Sequence, residues 1–408
     1  MSEKNEKPYR KLASSKHLKR LMNRYFLTIG YLRFGRPIAW VTSGAPVELI
    51  RACGFLPVYP ENYGAICGAS KAGQDLCQIA EGEGYSIDLC SYARANIGSM
   101  FNSEKAPGGG LPAPDCVVAA SNVCNTLVKW FELVAAYFKV PYFVIDIPYQ
   151  FEAEAAAFDD TYITQQLTDM ITFLTSISKK TFSQGKYLKI LKYSSETIRL
   201  WKAIRETGKH RPSPVNAPDL FIHMAPIVSL RGSRGTLRYY KRLHRELDTR
   251  IEQGIGAIKQ ERFRLLWDNI AIWFNLFDFF NFFSRQGACF VVSTYTDAWS
   301  GEWDENEDPI QETVRIYRDA YLNLSQMRRA EMMINSVKEY AVDGIIMHSG
   351  RTCKPYSLGQ AAILEKVTAE TGVPGILIDA DMVDPRFYTD AQVKNRLQAF
   401  IELLETRT

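Results

Sequence analysis

The chain has 408 residues, of which 46% are hydrophobic, so it can bury sizeable cores and is expected to form two or three domains. The formal net charge is only +4, and no dense cluster of lysine and arginine stands out, so nucleic acid is not an expected partner. The N-terminal stretch lacks the apolar core of a secretory signal, and the most apolar run, Ile270 to Phe283, is too short to span a bilayer. A cytoplasmic protein with no membrane segment is therefore expected.

Residues 1–35 are predicted to form an N-terminal helical arm, and residues 36–151 a first α/β domain. In this domain, apolar β-branched runs alternate with helical patterns, which is typical of a parallel sheet. The strands are centred near residues 38, 56, 117 and 143. Ser43 ends the strand PIAWVTS, and the strand FLPVYP delivers Glu61 into the following loop. Both side chains are expected at the edge where open α/β sheets bind ligands, although a helix N-cap and a solvated acid are the structural alternatives.

A helical pattern in GYSIDLCSYARANIGSM places Cys90 and Arg94 on one helical face. At this spacing the arginine could balance a negative group held at Cys90.

Residues 152–224 are predicted to form a helical connector, and residues 225–408 a second α/β domain. This second domain contains an aromatic helix, FNLFDFFNFFSRQG, which is more typical of core than of a ligand pocket. A long helix is predicted from Ile310 to Tyr340, and an amphipathic helix closes the chain.

The run from Asp115 to Asp146 has a second version from Asp343 to Asp379. In each, a strand follows aspartate, a cysteine stands just past the strand end, a helix follows, and Val-Pro introduces another strand that ends in aspartate. The pattern predicts two Rossmann-like parallel-sheet domains of α/β class, related by an internal repeat. The two cysteines, Cys124 and Cys353, suggest one thiolate site shared by both halves.

Eight cysteines in a cytoplasmic chain are expected to be free, metal-bound or redox-active rather than disulfide-linked. Three of them stand at turn or helix-start positions, where thiolates are stabilised: Cys90, Cys124 and Cys353. Three explanations remain open from the spacing alone. They are a cubane iron–sulfur cluster with one iron left open, unrelated buried thiols, or a zinc site with His348 as an extra ligand.

Six segments, in this order, resemble the 2-hydroxyacyl-CoA dehydratase and class I benzoyl-CoA reductase family, and in particular its substrate-cluster-bearing subunit. They are PIAWVTSGAPVEL, VYPENYGA, GYSIDLCSYARANIG, SNVCNTLVKWFE, MHSGRTCK and DMVDPRF. The resemblance runs from about Gly35 to Glu405. It implies that Cys90, Cys124 and Cys353 ligate a [4Fe-4S] cluster.

The resemblance also implies catalytic roles for three other residues. Ser43 and Glu61 match residues that contact the substrate and handle protons, and His348 in MHSGRTCK is a further candidate. Contacts with the CoA phosphates are not placed: Arg231, Arg234 and Lys354 are candidates, and solvated surface charge explains them equally well.

The implied function is an (R)-2-hydroxyacyl-CoA dehydratase, which forms an enoyl-CoA through a ketyl radical anion. The implied partners are a homologous second subunit with its own iron–sulfur cluster, an ATP-dependent iron–sulfur activator, and an acyl-CoA substrate. The alternative within the family is a subunit of class I benzoyl-CoA reductase, which reduces the ring of an aroyl-CoA. A non-catalytic two-domain protein that binds a metal or ligand is the remaining possibility.

Overall fold

The chain folds around two four-stranded parallel sheets in a computed structural model that describes residues 9–152, 157–299, 301–304 and 306–407. Residues 1–8 of the predicted N-terminal arm lie outside the described residues. No helix in the described ranges is long and apolar enough to cross a membrane.

The first sheet has the strand order β2-β1-β3-β4. Its strands are β1 (Ile38–Val41), β2 (Leu56–Val58), β3 (Cys116–Ala120) and β4 (Tyr142–Ile145). The central strand β1 is buried on both faces, with Trp40 paired between Val58 and Val117. Continuous apolar runs are typical of parallel strands that helices cover on both sides. All four strands lie where the sequence predicted them.

Six helices belong to this first region. They are α1 (Ser15–Gly30), α2 (Val47–Ala52), α3 (Pro60–Ala69), α4 (Gly73–Gly82), α5 (Ser91–Phe101) and α6 (Asn125–Phe138). The loop between α2 and β2 turns at Gly54, whose φ of +97° suits a residue without a side chain. Helix α3 begins directly after β2, with Pro60 at its first position, so that Glu61 lies in a helical turn and not in the predicted loop.

Helices alone connect the two sheets within the described residues. They are α7 (Ala157–Ser178), α8 (Gln184–Glu206), α9 (Ala217–His223), α10 (Ala225–Leu230) and α11 (Arg234–Glu252). The helical character predicted for the connector is confirmed. Helices α10 and α11 continue it beyond residue 225, and the first strand of the second sheet begins only at Phe263.

The second sheet has the order β6-β5-β7-β8, which has the same form as the order of the first sheet. Its strands are β5 (Phe263–Asp268), β6 (Ala288–Ser293), β7 (Gly344–Gly350) and β8 (Gly375–Ala380). Its helices are α12 (Leu276–Arg285), α13 (Thr294–Asp297), α14 (Pro309–Arg318), α15 (Gln326–Glu339), α16 (Lys354–Ser357), α17 (Gln360–Thr371) and α18 (Asp390–Glu405). Short 3-10 turns lie at Ser103–Lys105, Pro107–Gly109, Thr207–Lys209, Trp273–Asn275, Tyr321–Asn323 and Pro385–Phe387.

The predicted long helix from Ile310 to Tyr340 is wrong, because the chain forms α14 and α15 with a break between them. At the break, the side-chain amide of Asn323 donates to the carbonyl oxygens of Pro148 and Arg318. The backbone of Gln150 also donates to Asn323, and Ser325 returns a hydrogen bond to Gln150. The chain therefore leaves the helix to bond with the segment that follows β4, a long-range contact that periodicity does not reveal.

Both sheets carry a strand–helix–strand unit with a cysteine after its first strand, as β3-α6-β4 and as β7-α16-α17-β8. The α/β class and the parallel sheets are confirmed. Three finer points stay predictions. They are that the two units come from an internal repeat, that they are Rossmann-like, and where the domain boundaries lie.

Arg264 links the second sheet to the turn after α8, and its loss is expected to destabilise the fold strongly. The side chain is buried on β5 and donates to the carbonyl oxygens of Tyr340 (2.7 Å), His210 (3.0 Å) and Gly208 (2.6 Å) and to the carboxylate of Glu261 (2.5 Å). Arg264→Met leaves these acceptors buried without their donor, which is expected to cost about 3–5 kcal/mol of unfolding free energy. Urea unfolding followed by circular dichroism measures the loss.

The matched control is Arg262→Met, two residues away. The Arg262 guanidinium bonds Glu405 at 2.9 Å, and both side chains are exposed, so less than about 1 kcal/mol is expected. Equal losses in the two variants would contradict the role given to Arg264.

Candidate functional site

A cavity of about 400 Å³ opens at the carboxyl ends of strands from both sheets. Ser43 follows β1, Glu61 follows β2, Asn122 follows β3, and Tyr295 follows β6. This is the edge at which parallel α/β sheets bind their ligands. Most of the other lining side chains are apolar or aromatic, so the interior disfavours charge except where a partner is built in.

Ser43 and Glu61 form the polar pair of this cavity. The Ser43 backbone N–H donates to Glu61 Oε2 at 2.5 Å, and its hydroxyl donates to Oε1 at 2.8 Å. Burial raises the pKa of the Glu61 carboxyl to about 7, although the two hydrogen bonds from Ser43 act to lower it. A carboxyl group with this pKa can both give and take a proton near neutral pH, which suits a general acid or base.

The three cysteines predicted to act together each occupy the N-cap of a helix. Cys90 precedes α5, Cys124 precedes α6 and Cys353 precedes α16. A helix N-terminus presents free backbone N–H groups, which stabilise negative charge on a thiolate.

None of the three side chains makes a capping hydrogen bond, but the backbone N–H groups of the first turns act on the sulfurs and lower the pKa of the thiols. These groups are Tyr92 and Ala93 for Cys90, Thr126 and Leu127 for Cys124, and Tyr356 for Cys353.

Burial has the largest effect on the pKa values of these thiols. It raises the pKa of Cys90 to about 11 and that of Cys124 to about 12, and it raises the pKa of Cys353 well above its ordinary value. Charge on Cys90 also raises the pKa of Cys124, and both raise that of Cys353, so the three thiols lie within electrostatic reach of one another, and all three belong to one hydrophobic cluster. Charge on Glu61 raises the pKa of Cys90 and Cys124, so this carboxylate is within electrostatic reach of both.

The donor set fits a cluster better than a single ion. In the described part of the chain, no group of three or more His, Cys, Asp or Glu side chains could hold one metal ion, so the zinc alternative finds no support. Cysteines that bind an iron–sulfur cluster attach to different irons and therefore stand farther apart than the ligands of one zinc ion. Cys90, Cys124 and Cys353 start three different helices and lie within electrostatic reach of one another, which is compatible with such a cluster.

His348 does not join the cavity lining. It lies fully buried in β7, its Nδ1 is 2.7 Å from the carbonyl oxygen of Ile270, and its ring contacts Trp267. Burial lowers the pKa of His348, which favours the neutral ring. This buried position outside the cavity lining favours a structural role over contact with substrate, and the catalytic role of His348 stays a prediction.

The predicted pairing of Arg94 with a negative group at Cys90 is wrong. Arg94 is fully buried, and its Nη1 donates to Glu81 at 2.5 Å and to Asp384 at 2.9 Å, while its Nε donates to the carbonyl oxygen of Leu89. The guanidinium is thus neutralised by carboxylates. Helical spacing gave no sign of a partner 290 residues away.

The remaining cysteines are buried, and none of the eight forms a disulfide. Cys53, Cys116 and Cys289 are buried in apolar surroundings. Cys67 and Cys77 are also fully buried, and burial raises the pKa of Cys67 to about 12.

Arg231 was considered for contact with CoA phosphates, but its side chain is buried in the cavity wall. Its Nε donates to Glu48 at 2.8 Å, and its Nη2 donates to the Tyr317 hydroxyl at 2.6 Å. It therefore belongs to a neutralised interior network.

Sequence reasoning missed two residues that support the site. Asn122, just before Cys124, donates from its amide to the carbonyl oxygens of Gly44 (3.1 Å) and Tyr317 (2.7 Å) and so links the two halves. Tyr295 lines the cavity in the segment STYTDAWS. Neither has a local signal beyond its position after a strand end.

Ser43→Ala is expected to raise the pKa of Glu61 above about 7. The substitution removes the hydroxyl that stabilises the charged carboxylate, while the backbone N–H of residue 43 still donates to it. Infrared difference spectra of the carboxylic C=O band, recorded across pH, measure the shift. Ser70→Ala just after the end of α3 is the control, since Ser70 bonds only the carbonyl of Cys67 among the described side-chain contacts. An unchanged or lowered midpoint in Ser43→Ala would contradict the pairing.

A family model described as "2-hydroxyglutaryl-CoA dehydratase, D-component" matches residues 42–404. The chain is 34% identical over 379 residues to the (R)-2-hydroxyisocaproyl-CoA dehydratase alpha subunit of Clostridioides difficile, with 91% of each chain covered. It is 31% identical over 385 residues to the lactoyl-CoA dehydratase alpha subunit of Anaerotignum propionicum, again with 91% of each covered. A benzoyl-CoA reductase subunit of Thauera aromatica is 29% identical over 377 residues, with 88% of this chain and 87% of the relative covered. The resemblance stated from the motifs is thereby confirmed, and the chain belongs to the 2-hydroxyglutaryl-CoA dehydratase D-component family of enzyme subunits.

Proposed function

We propose that this chain is the substrate-binding iron–sulfur subunit of an (R)-2-hydroxyacyl-CoA dehydratase, which removes water to form an enoyl-CoA. The observation that carries the proposal is that three N-capping cysteines lie within electrostatic reach of one another, and that Glu61, whose pair with Ser43 lines a largely apolar cavity, acts on two of them. Relatives named as dehydratase alpha subunits, which match the chain over most of its length, support it.

Cys90, Cys124 and Cys353 would hold a [4Fe-4S] cluster. With three thiolates for four irons, the bound cluster would supply one iron with an open coordination position, which can act as a Lewis acid toward a substrate oxygen. The backbone N–H groups at the three helix N-termini compensate the thiolate charge that burial alone would oppose.

Glu61 is the group of this chain that moves protons. With a pKa of about 7, it can give a proton to the α-hydroxyl oxygen as that group departs, so that the leaving group is water. The β-carbon then returns a proton to the same carboxylate, which restores Glu61 for the next turnover. Ser43 fixes both carboxyl oxygens through its N–H and hydroxyl and thereby orients the group.

The cavity protects the radical chemistry expected of such an enzyme. A ketyl radical anion of the thioester reacts with water and oxygen, so an apolar chamber that excludes solvent is needed. The single electron would come from a separate ATP-hydrolysing iron–sulfur activator and pass through a homologous second subunit with its own cluster. Alpha subunits among the relatives support the existence of a partner subunit.

Anaerobic purification with the co-expressed partner subunit tests this proposal. Iron and sulfide are measured first, followed by activity with reduced activator and ATP on an (R)-2-hydroxyacyl-CoA and on benzoyl-CoA. Iron together with enoyl-CoA formation is expected. A colourless, iron-free protein would refute the proposal and support a non-catalytic binding role.

A class I benzoyl-CoA reductase subunit is the second candidate. The relative named as a subunit of benzoyl-CoA reductase and the aromatic side chains in the cavity wall favour it. This candidate would be supported if the complex contains iron, reduces the ring of benzoyl-CoA and forms no enoyl-CoA from any 2-hydroxyacyl-CoA.

A further inference from the structure

The cavity has a wall of three aromatic side chains that the proton chemistry does not use. Phe221 on α9, Trp273 in a 3-10 turn and Tyr295 on α13 all line it. Their ring centroids lie 6.4 Å (Phe221–Trp273), 5.8 Å (Phe221–Tyr295) and 6.5 Å (Trp273–Tyr295) apart, and the rings are tilted or edge-on to one another. We call this set the aromatic wall. Each ring fixes the others, so the wall is a rigid apolar surface.

The aromatic wall lies at the reacting end of the cavity. Trp273 Nε1 donates to the Tyr92 hydroxyl at 2.5 Å, and Tyr92 stands two residues after Cys90. Tyr295 and Glu61 line the same cavity, and charge on Glu61 and Cys353 adds to burial in raising the pKa of Tyr295, so its phenol is within electrostatic reach of both groups. A thioester held beside Glu61 and the three cysteines therefore presents its acyl group, and not the distant nucleotide of CoA, to this wall.

The charged side chains that line the cavity, apart from Glu61, already have partners of opposite charge. The pairs are Arg231 with Glu48, Arg315 with Glu312, Asp297 with Arg205, and Asp319 with Arg318. Within the described lining, a second carboxylate on the acyl group would thus find no unpaired cation. Burying such a charge without a partner is unfavourable, so a dicarboxylic acyl group is disfavoured.

We propose that the aromatic wall selects an acyl group with an uncharged and bulky side chain, best an aromatic ring. This inference rests on the proposed function and names the substrate class of the same site. An aromatic ring can meet the wall in the edge-to-face arrangement that its own rings adopt. A short acyl group such as lactoyl leaves the wall uncovered and forgoes that contact.

Equilibrium binding of acyl-CoA analogues without an α-hydroxyl group tests the selection apart from catalysis. The probes are 3-phenylpropanoyl-CoA, propanoyl-CoA and glutaryl-CoA, titrated calorimetrically into the anaerobically purified complex. We expect 3-phenylpropanoyl-CoA to bind at least about tenfold more tightly than propanoyl-CoA, and glutaryl-CoA to bind no more tightly than propanoyl-CoA. Equal or tighter binding of propanoyl-CoA or glutaryl-CoA, relative to the phenyl analogue, would overturn the inference.

Phe221→Ala is expected to remove most of the phenyl preference and to change propanoyl-CoA binding less than about twofold, since the short group does not reach the wall. Phe274→Ala is the matched control, because Phe274 contacts Tyr388 and does not line the cavity. If Phe221→Ala does not fold, Trp273→Leu gives the same test. Loss of the preference in Phe274→Ala but not in the wall variant would overturn the assignment.

The binding experiment also separates this inference from the function on which it rests. A phenyl preference without enoyl-CoA formation would refute the dehydratase proposal and leave the selectivity of the cavity standing. If enoyl-CoA forms but all three analogues bind equally tightly, the dehydratase proposal stands and the selectivity of the aromatic wall is refuted.

Discussion

Cys124→Ala is expected to abolish the bound iron and with it all turnover above background, while the chain stays folded. Cys124 supplies one of the three converging thiols at the start of α6, and its side chain makes no capping hydrogen bond to the helix. Two remaining thiolates cannot hold a cluster whose open iron needs the other three irons to be ligated. Iron and sulfide analysis and the visible absorption spectrum measure the loss, and circular dichroism verifies the fold.

Cys116→Ala is the matched control for this substitution. Cys116 is fully buried in β3, at the other end of the strand that leads toward Cys124, and no charge on Cys90, Cys353 or Glu61 acts on its thiol. Truncating its thiol is expected to lower stability slightly and to leave the iron content unchanged. Iron and sulfide contents equal to those of the wild type in Cys124→Ala would contradict the assignment of Cys124 as a ligand. Loss of iron in both variants would contradict it as well.

Glu61→Gln is expected to lower turnover by about 100- to 10,000-fold, since an amide cannot give and take a proton. The amide oxygen can still accept the backbone N–H of Ser43, and its NH₂ group can donate to the serine hydroxyl, so the local geometry survives. Steady-state kinetics with the activator in excess measures the effect. Glu132→Gln is the control, because Glu132 lies exposed on α6 and pairs only with Lys129 among the described contacts. Turnover within about twofold of wild type in Glu61→Gln would exclude a proton-transfer role.

The same variant tests the ionisation of Glu61 independently of catalysis. Its folded pKa of about 7 lies above the ordinary value of 4.5, so the folded chain binds the proton more tightly than the unfolded chain. The stabilisation from this proton is fully present below about pH 4.5 and is lost as the pH rises to about 7. Relative to wild type, Glu61→Gln should therefore gain unfolding free energy across this window and keep the gain above it. Urea unfolding at several pH values measures the difference, and a constant or falling difference would contradict the raised pKa.

Local sequence patterns were sufficient for the strands and for the position of the cysteines. Parallel strands buried on both faces appear as short continuous apolar runs, such as IAWV in β1, and these stand out from the helices around them. A cysteine between such a run and a helical pattern is already at a helix N-cap, which is why Cys124 and Cys353 could be recognised.

Local sequence patterns could not predict contacts between segments that are distant along the chain. Arg94 was placed on the right helix, but its carboxylate partner Asp384 comes from beyond β8. The break between α14 and α15 depends on hydrogen bonds to the segment after β4. Trp273 and Tyr295 are aromatic residues that composition cannot separate from core, because only the folded chain shows which rings face a cavity. Long-range pairing, and not local propensity, decides each of these cases.

The distribution of the three N-capping cysteines along the chain has a consequence for how the protein matures. Cys90 and Cys124 belong to helices beside the first sheet, whereas Cys353 starts a helix that follows the third strand, in chain order, of the second. On the proposed ligand set, no complete binding site exists until the second sheet has formed and docked on the first. On that ligand set, the cluster would therefore enter only after both halves have assembled, and a chain arrested before that point would lack it.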